Sequence, residues 1–218
     1  MSLARAEGSM GDPYEHALRA TVTVTLHDLG RSRAVPFDVD RFLAEADETE
    51  RALARAASGP VLDVGCGPGR MLRAALDAGH SALGVDVSPT AVSIARSRGL
   101  PVLQRSVFDP LPAEREWGSV LLLDGNLGIG GDPGALLRRC AALLRPRGRV
   151  VAETHPDARR DHRFLGHLRD DRGARGASFP WAEVGRHALR RYAHAAGLEP
   201  VREWRSGSRR FAEYARPQ

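Results

Sequence analysis

Three aspartates in the first half of the chain have the type and spacing to do chemistry. Asp63 lies in Val61-Leu62-Asp63-Val64-Gly65-Cys66-Gly67-Pro68-Gly69-Arg70, Asp86 in Gly84-Val85-Asp86-Val87-Ser88, and Asp109 in Ser106-Val107-Phe108-Asp109-Pro110-Leu111-Pro112. The first stretch reads as a short buried strand, a glycine turn and the start of a helix. Glycines there remove side chains that would keep a ligand from the backbone. A carboxylate at the end of the next strand can accept both hydroxyl protons of a ribose. An acid is expected about 20 positions beyond such a turn, and Gly67 to Asp86 is 19. The ordered series points to a nucleotide-type cofactor.

The order of residues in the turn separates the candidate cofactors. A dinucleotide fingerprint runs G-x-G-x-x-G, but the sixth position from Gly65 is Arg70, which disfavours an NAD-dependent oxidoreductase. Pro68 is placed where a first helical turn tolerates a missing N–H. A phosphate-binding P-loop needs a Lys-Ser/Thr pair, and the chain has no lysine. The pattern Asp63-Val64-Gly65-Cys66-Gly67-Pro68-Gly69 resembles motif I of the class I S-adenosylmethionine-dependent methyltransferases.

That resemblance assigns expected roles. Asp63 and the turn through Gly65, Cys66, Gly67 and Gly69 would pack along the methionine part of S-adenosylmethionine; the plain alternative is a tight strand-to-helix turn. Asp86, with Val87 beside it, would hold the ribose, the alternative being a helix-dipole partner near Ser88. Asp109 would accept from the adenine amine while Val107 or Phe108 covers the ring, against an ordinary Asp-Pro turn. Asp124, Gly125 and Asn126 follow the fourth strand, where the family places the loop beside the transferring methyl group, and the competing reading is a flexible connector. Asp132 at the end of this loop reads as a helix cap.

His155, after the fifth strand, is a candidate general base, since an imidazole titrates near neutral pH. A solvent-facing loop histidine is the plainer reading. Asn126 and His155 are therefore the two candidate catalytic residues. Tyr14, His16, His27 and Arg41 belong to the N-terminal segment, which often closes over the cofactor in this family. Arg159, Arg160, His162 and Arg163 can bind an anionic substrate or form a solvated charge run. No Asn/Asp-Pro-Pro-Tyr/Phe motif follows the fourth strand, and no Cys lies near it, so chemistry on a flipped nucleic-acid base loses support.

Composition bounds the remaining possibilities. With 218 residues, 42% of them hydrophobic, the chain can build one full α/β core. The formal charge of +5 comes with 32 basic residues, all arginine, interspersed among 27 acidic ones. Nucleic-acid binding is disfavoured because there is no polybasic block. Two cysteines, Cys66 and Cys140, make neither a disulfide framework nor a metal site. No apolar leader or membrane-length run is present, so a cytoplasmic protein is expected.

These residues need elements to position them. Residues 1–12 read as disordered, 14–20 as a short helix, and 21–26 as a strand that forms a hairpin with 33–37. One helix is expected from Asp38 or Asp40 to about Ala57. Strands at 61–64, 81–86, 101–105, 120–123 and 149–153 then alternate with helices, which argues for a parallel sheet with right-handed crossovers. Residues 156–180 read as a long connection, either a lid or a substrate loop, and partly helical. A helix to about Ala196 and strands near 198–205 and 209–215 follow. The expected fold is a three-layer Rossmann-like α/β sandwich. Its mostly parallel seven-stranded sheet ends in a C-terminal antiparallel hairpin. Residues 1–58 form an N-terminal segment capping the cofactor site, and 59–218 form the S-adenosylmethionine-binding domain.

The expected activity is methyl transfer to an O, N or C nucleophile of a small molecule, with a secondary metabolite as one candidate. No metal is needed, and oligomeric state is left open. The alternatives are an RNA or protein methyltransferase, and a non-catalytic S-adenosylmethionine-binding regulatory or interaction protein.

Overall fold

The computed structural model describes residues 12–20, 22–31 and 33–218. In chain order the elements are α1 (Pro13–Arg19), β1 (Val24–Asp28), β2 (Arg33–Phe37), α2 (Val39–Leu43) and α3 (Glu48–Ala56). Next come β3 (Val61–Val64), α4 (Arg70–Asp77), β4 (Ala82–Asp86), α5 (Pro89–Ser97), β5 (Val102–Gln104) and β6 (Trp117–Leu122). A 3-10 segment (Asn126–Gly131) leads to α6 (Pro133–Leu143), β7 (Leu144–Thr154), β8 (Asp161–Asp170), β9 (Phe179–Val184), α7 (Arg186–Ala195), β10 (Glu199–Ser206) and β11 (Arg209–Ala215).

A seven-stranded sheet has the order β10-β11-β7-β6-β3-β4-β5. The pairs β3–β4, β3–β6, β4–β5 and β6–β7 are parallel, whereas β11 runs antiparallel to both β7 and β10. β3 and β6 are buried along their whole length, as near-continuous apolar runs require when helices cover both faces. Leu62, Val120, Leu122, Leu136, Leu137, Val150 and Leu189 form one core; Val61, Met71, Leu121, Leu123 and Phe211 form the other. The chain steps outward from β3 to β4 and β5 and then returns beside β3 as β6. This reversal places a crevice at the carboxyl ends of β3 and β6.

Four differences from the sequence reading have physical causes. Asp12 is ordered: it caps α1 by accepting from the N–H groups of Tyr14 and Glu15, while the reading of residues 1–11 lies outside the described residues. The helix expected from 38 to 57 is two, because Asp47 and Glu50 form a reciprocal capping box that starts α3 afresh. Pro68 precedes α4 rather than opening it, since Gly69 is the cap. Residues 156–180 contain β8 and the first two residues of β9, not helix. These strands complete a second, four-stranded sheet of order β2-β1-β8-β9 with the N-terminal hairpin.

The second sheet is antiparallel throughout, with Leu26 opposite Leu168 and His27 opposite His167. Its inner side packs with α1, α2 and α5 around Ala17, Leu18, Val24, Leu26, Val39, Ala91 and Leu168. β9 also lies against the 3-10 segment. A Cβ at Gly128 would strike the Ala182 carbonyl oxygen at 2.4 Å and the Trp181 ring at 2.6 Å. The small sheet thus roofs the carboxyl end of β6.

Candidate active site

The glycine turn after β3 is held from two sides. Gly65, Gly67 and Gly69 have φ of 67°, 53° and 92°, a region that disfavours every residue with a Cβ. Only one of the three leaves room above it. A Cβ at Gly65 would strike the Asn126 amide at 2.8 Å, and one at Gly69 would strike Leu100 at 2.3 Å. Among the described residues, a Cβ at Gly67 would meet only the Tyr14 hydroxyl, at 3.5 Å. Two glycines are therefore required by packing, and Gly67 alone keeps a cradle open.

Asp86 ends β4 beside that cradle. One carboxylate oxygen accepts from the Gly67 N–H at 2.8 Å and the other from the Ser88 N–H at 2.8 Å. Burial raises its pKa, opposed by the N–H groups of Ser88, Gly67 and Val87. Each oxygen keeps lone pairs for further donors. The next residue, Val87, is 67% exposed, an apolar surface left at the strand end. Cys66 is buried under the turn, its thiol against Gly67 and its pKa raised by burial.

Phe108 and Asp109 lie on the same rim. Val107, expected as a possible cover for a bound ring, is instead buried in the core, which leaves Phe108 as the exposed apolar group of the pair. A Cβ at Gly130 would meet the Phe108 ring at 2.9 Å, so the 3-10 segment and the rim are packed together. Asp109 is exposed and accepts from the Ser106 N–H at 3.2 Å, a turn-type bond that leaves its other oxygen available.

The loop after β6 is the most constrained part of the crevice. Asp124 has φ of 52° and Gly125 of 86°. A left-handed aspartate is uncommon, and such strain concentrates at functional sites. The Asn126 amide donates to the carbonyls of Val64 at 2.8 Å and Gly65 at 3.0 Å. Both donor hydrogens are spent tying the loop to the glycine turn. Asp132 caps α6 by accepting from Ala135.

Asp124 is held by a buried ion cluster whose members are scattered from residue 41 to residue 209, so no local pattern assembles it. Its carboxylate accepts from Arg70 and, at 3.1 Å, from Arg41; its N–H donates to Glu153 at 3.0 Å. Glu50 is wholly buried, and one of its oxygens accepts from Arg70, from Arg41 at 2.6 Å and from Arg209 at 2.8 Å. Arg209 also donates to both oxygens of Glu153, at 2.8 and 2.6 Å. Burial pushes the Asp124 pKa up, with Arg70 opposing it; Glu50 is lowered, the Asp47 N–H, Arg70 and Arg209 together overcoming its burial. Asp63 next to this cluster is buried with one oxygen unpartnered, and burial lifts its pKa to about 7.

His155 follows β7, its N–H donating to the Val184 carbonyl at 2.8 Å. The ring Nδ1 accepts from the Asp157 N–H at 3.1 Å, which puts the neutral ring's proton on Nε2. His155 stands one residue beyond Thr154 and two beyond Glu153, so it shares the strand end with the ion cluster without joining it.

α1 closes the cradle from above. Glu15 accepts from the hydroxyls of Ser88 and Thr90, and Arg19 donates to Thr90 at 2.7 Å. This sets the Tyr14 hydroxyl over Gly67, with a pKa raised by burial and by the Asp86 charge. Of the other N-terminal candidates, Arg41 enters the ion cluster. His16 meets Asp170, and His27 stacks on His167 in the small sheet.

The methyltransferase domain family matches residues 37–203. The chain belongs to that family. Its fold is that of the class I S-adenosylmethionine-dependent methyltransferases. A SAM-dependent methyltransferase from Bacteroides fragilis, solved with S-adenosyl-L-homocysteine, is similar with a TM-score of 0.75 at 21% identity, over 95% of this chain and 96% of that one. The 1,6-didemethyltoxoflavin-N1-methyltransferase of Burkholderia thailandensis gives 0.61 at 22%, over 82% of each chain. The ubiquinone biosynthesis O-methyltransferase of Bordetella avium is 33% identical over 101 residues, covering 43% of this chain and 42% of that protein. The chain thus spans under half of that curated relative. Among the described residues no helix is long and apolar enough to cross a membrane.

The residues present fit S-adenosylmethionine. An unpartnered buried Asp63 oxygen, a Gly67 cradle that a Cβ would fill, an Asp86 carboxylate with spare lone pairs, and exposed Val87 and Phe108 supply polar and apolar contacts in the order such a molecule needs.

Proposed function

We propose that this methyltransferase transfers a methyl group from S-adenosylmethionine to a nucleophilic atom of a small molecule. The cofactor supplies a methyl carbon already activated on a sulfonium, so the chain's task is to align the acceptor in line with it and exclude water. The reading rests above all on Asp86. Its carboxylate is fixed by Gly67 and Ser88 at the strand-order reversal, with Tyr14 above and open lone pairs between.

In this reading Asp86 takes the ribose hydroxyls and Val87 lies beside them. Asp63 and the turn through Gly65, Cys66, Gly67 and Gly69 receive the amino-acid part. Phe108 covers the adenine and Asp109 accepts from its amine. Asp124 and Gly125 border the transferring group, and Asn126 acts as a positioning residue that fixes their loop to the turn. The acceptor enters under Trp181 of β9. A hydroxyl acceptor is the first class to test, supported by the O-methyltransferase among the relatives. For His155 to take that proton, Nδ1 gives up the Asp157 N–H and carries the ring proton, which frees Nε2 to accept; the imidazolium then returns one proton to water. The reading includes a cytoplasmic enzyme that acts without nucleic acid.

Calorimetric titration with S-adenosylhomocysteine tests the cofactor assignment: saturable one-to-one heat is expected. Occupancy by nicotinamide nucleotides with no response to S-adenosylhomocysteine would overturn it. Product formation from a panel of phenols and hydroxylated heterocycles tests the transfer, and His155→Ala is expected to slow turnover while leaving cofactor affinity unchanged.

A further inference from the structure

A second cleft opens where β7, the β10–β11 hairpin and the start of α7 meet, with a volume of about 390 Å³. It is separate from the crevice described above. Side chains alternate across a sheet, so Glu153 turns to the ion cluster while Thr154, paired with Arg210, faces the opposite layer. Nothing in the methyl-transfer reading uses this cleft.

Its electrostatics are unbalanced. Arg205 and Arg210 are directly opposite each other on the antiparallel pair, an arrangement of like charges that destabilises a hairpin. Arg186, the first residue of α7, lines the same space. The lining acid is Glu203, already taken by Arg190 at 2.8 Å and approached by Arg186 at 3.6 Å. Among the described residues the Arg205 side chain has no hydrogen bond or ion pair, and the Arg210 side chain donates only through Nε, to the Pro156 carbonyl at 3.0 Å. Thr154 also lines the cleft. It is 5% exposed, and its hydroxyl has no partner. A buried hydroxyl without a partner is costly, and native structures satisfy nearly all of them.

We propose that this cleft binds a small organic oxyanion, a phosphate monoester or carboxylate, held by Arg186, Arg205, Arg210 and the Thr154 hydroxyl. Guanidinium groups match these anions through paired charge-assisted hydrogen bonds. The volume exceeds a bare oxyanion, and Pro156 and Trp204 give the remainder apolar walls, so an attached hydrocarbon or aromatic group is accommodated.

Thermal-shift and calorimetric titrations with phenyl phosphate, benzoate and inorganic phosphate, in chloride buffer at fixed ionic strength, test the proposal. Saturable binding of phenyl phosphate or benzoate is expected, tighter than inorganic phosphate, and the stronger of the two identifies the class. Arg205→Gln and Thr154→Val should each weaken it at least about tenfold, the loss of one hydrogen bond to a charged group. Arg172→Gln, the same charge change elsewhere on the surface, should leave it intact. Without ligand, Arg205→Gln should melt at or above the wild-type temperature, because it removes a like-charge pair. The proposal is overturned if none of the three probes saturates, or if Arg205→Gln and Thr154→Val bind as the wild type does. S-adenosylhomocysteine affinity, measured on the same samples, reports the other crevice independently.

Discussion

At the residue scale, Asp86 and Asp63 are both carboxylates at strand ends, yet their environments give them different roles. Asp86 accepts from two backbone N–H groups and keeps capacity for more. Asp86→Ala should weaken S-adenosylhomocysteine binding by about 1–3 kcal/mol, read by calorimetry; an unchanged affinity removes it from the site. Asp63 is raised to about 7 by burial, so the folded state holds its proton over a range where the unfolded chain has lost it. Stability from this group is full below about pH 4, falls as pH rises towards 7, and is flat above. Asp63→Asn removes that dependence. The gap between variant and wild-type unfolding free energies should widen in the variant's favour from pH 4 to 7, by on the order of a few kcal/mol. A gap that does not change with pH would refute it. The signature around these residues was legible because a turn is local: Gly65, Gly67 and Gly69 are adjacent in sequence and in space. Of Val107 and Phe108, the two candidate covers for a bound ring, the side chain of Val107 turns into the core, and adjacency in sequence does not show which of two neighbours faces inward.

At the element scale, the ion cluster joins α2, α3, α4, the loop after β6, β7 and β11. In the sequence Arg70 only breaks a dinucleotide pattern, whereas in the fold it bridges Glu50 and Asp124. Removing one partner of a buried pair leaves uncompensated charge, which typically costs about 3–5 kcal/mol. Glu50→Gln is expected to lose stability of that order in urea denaturation and to lower cofactor affinity as well, since Asp124 loses its support. Stability within about 0.5 kcal/mol of wild type would show that the cluster is energetically slack. The contact of β9 with the 3-10 segment makes a sharper prediction. Gly128→Val places atoms where the Ala182 carbonyl lies, so it should loosen the small sheet. Faster amide exchange confined to β8 and β9 would be the sign of this, and uniform protection would count against it.

For the whole molecule, the N-terminal hairpin and the β8–β9 hairpin are 124 positions apart, counted from Phe37 to Asp161, yet form one sheet. β1 lies inside it, bonded on both sides to β2 and β8. A chain starting after Phe37 would expose the β8 edge and the apolar surface under it. It should therefore self-associate in size-exclusion chromatography and lose cofactor binding, because α1 and Tyr14 go with it. A monomeric truncation with native affinity would mean that the small sheet is dispensable.

The sequence by itself determined the alternating strands and helices, the glycine turn after β3 and the closing hairpin. Each is written in local periodicity, glycine geometry and capping residues. It also carried the order Asp63, Asp86, Asp109 and Asp124, since successive strand ends of a parallel sheet share one rim. Only the tertiary structure decided that β8 pairs with β1, that Glu50 gathers Arg41, Arg70 and Arg209, and that Asn126 ties one loop to another. Strand pairing across such a distance and burial of charge depend on which surfaces meet. No window of sequence contains that information.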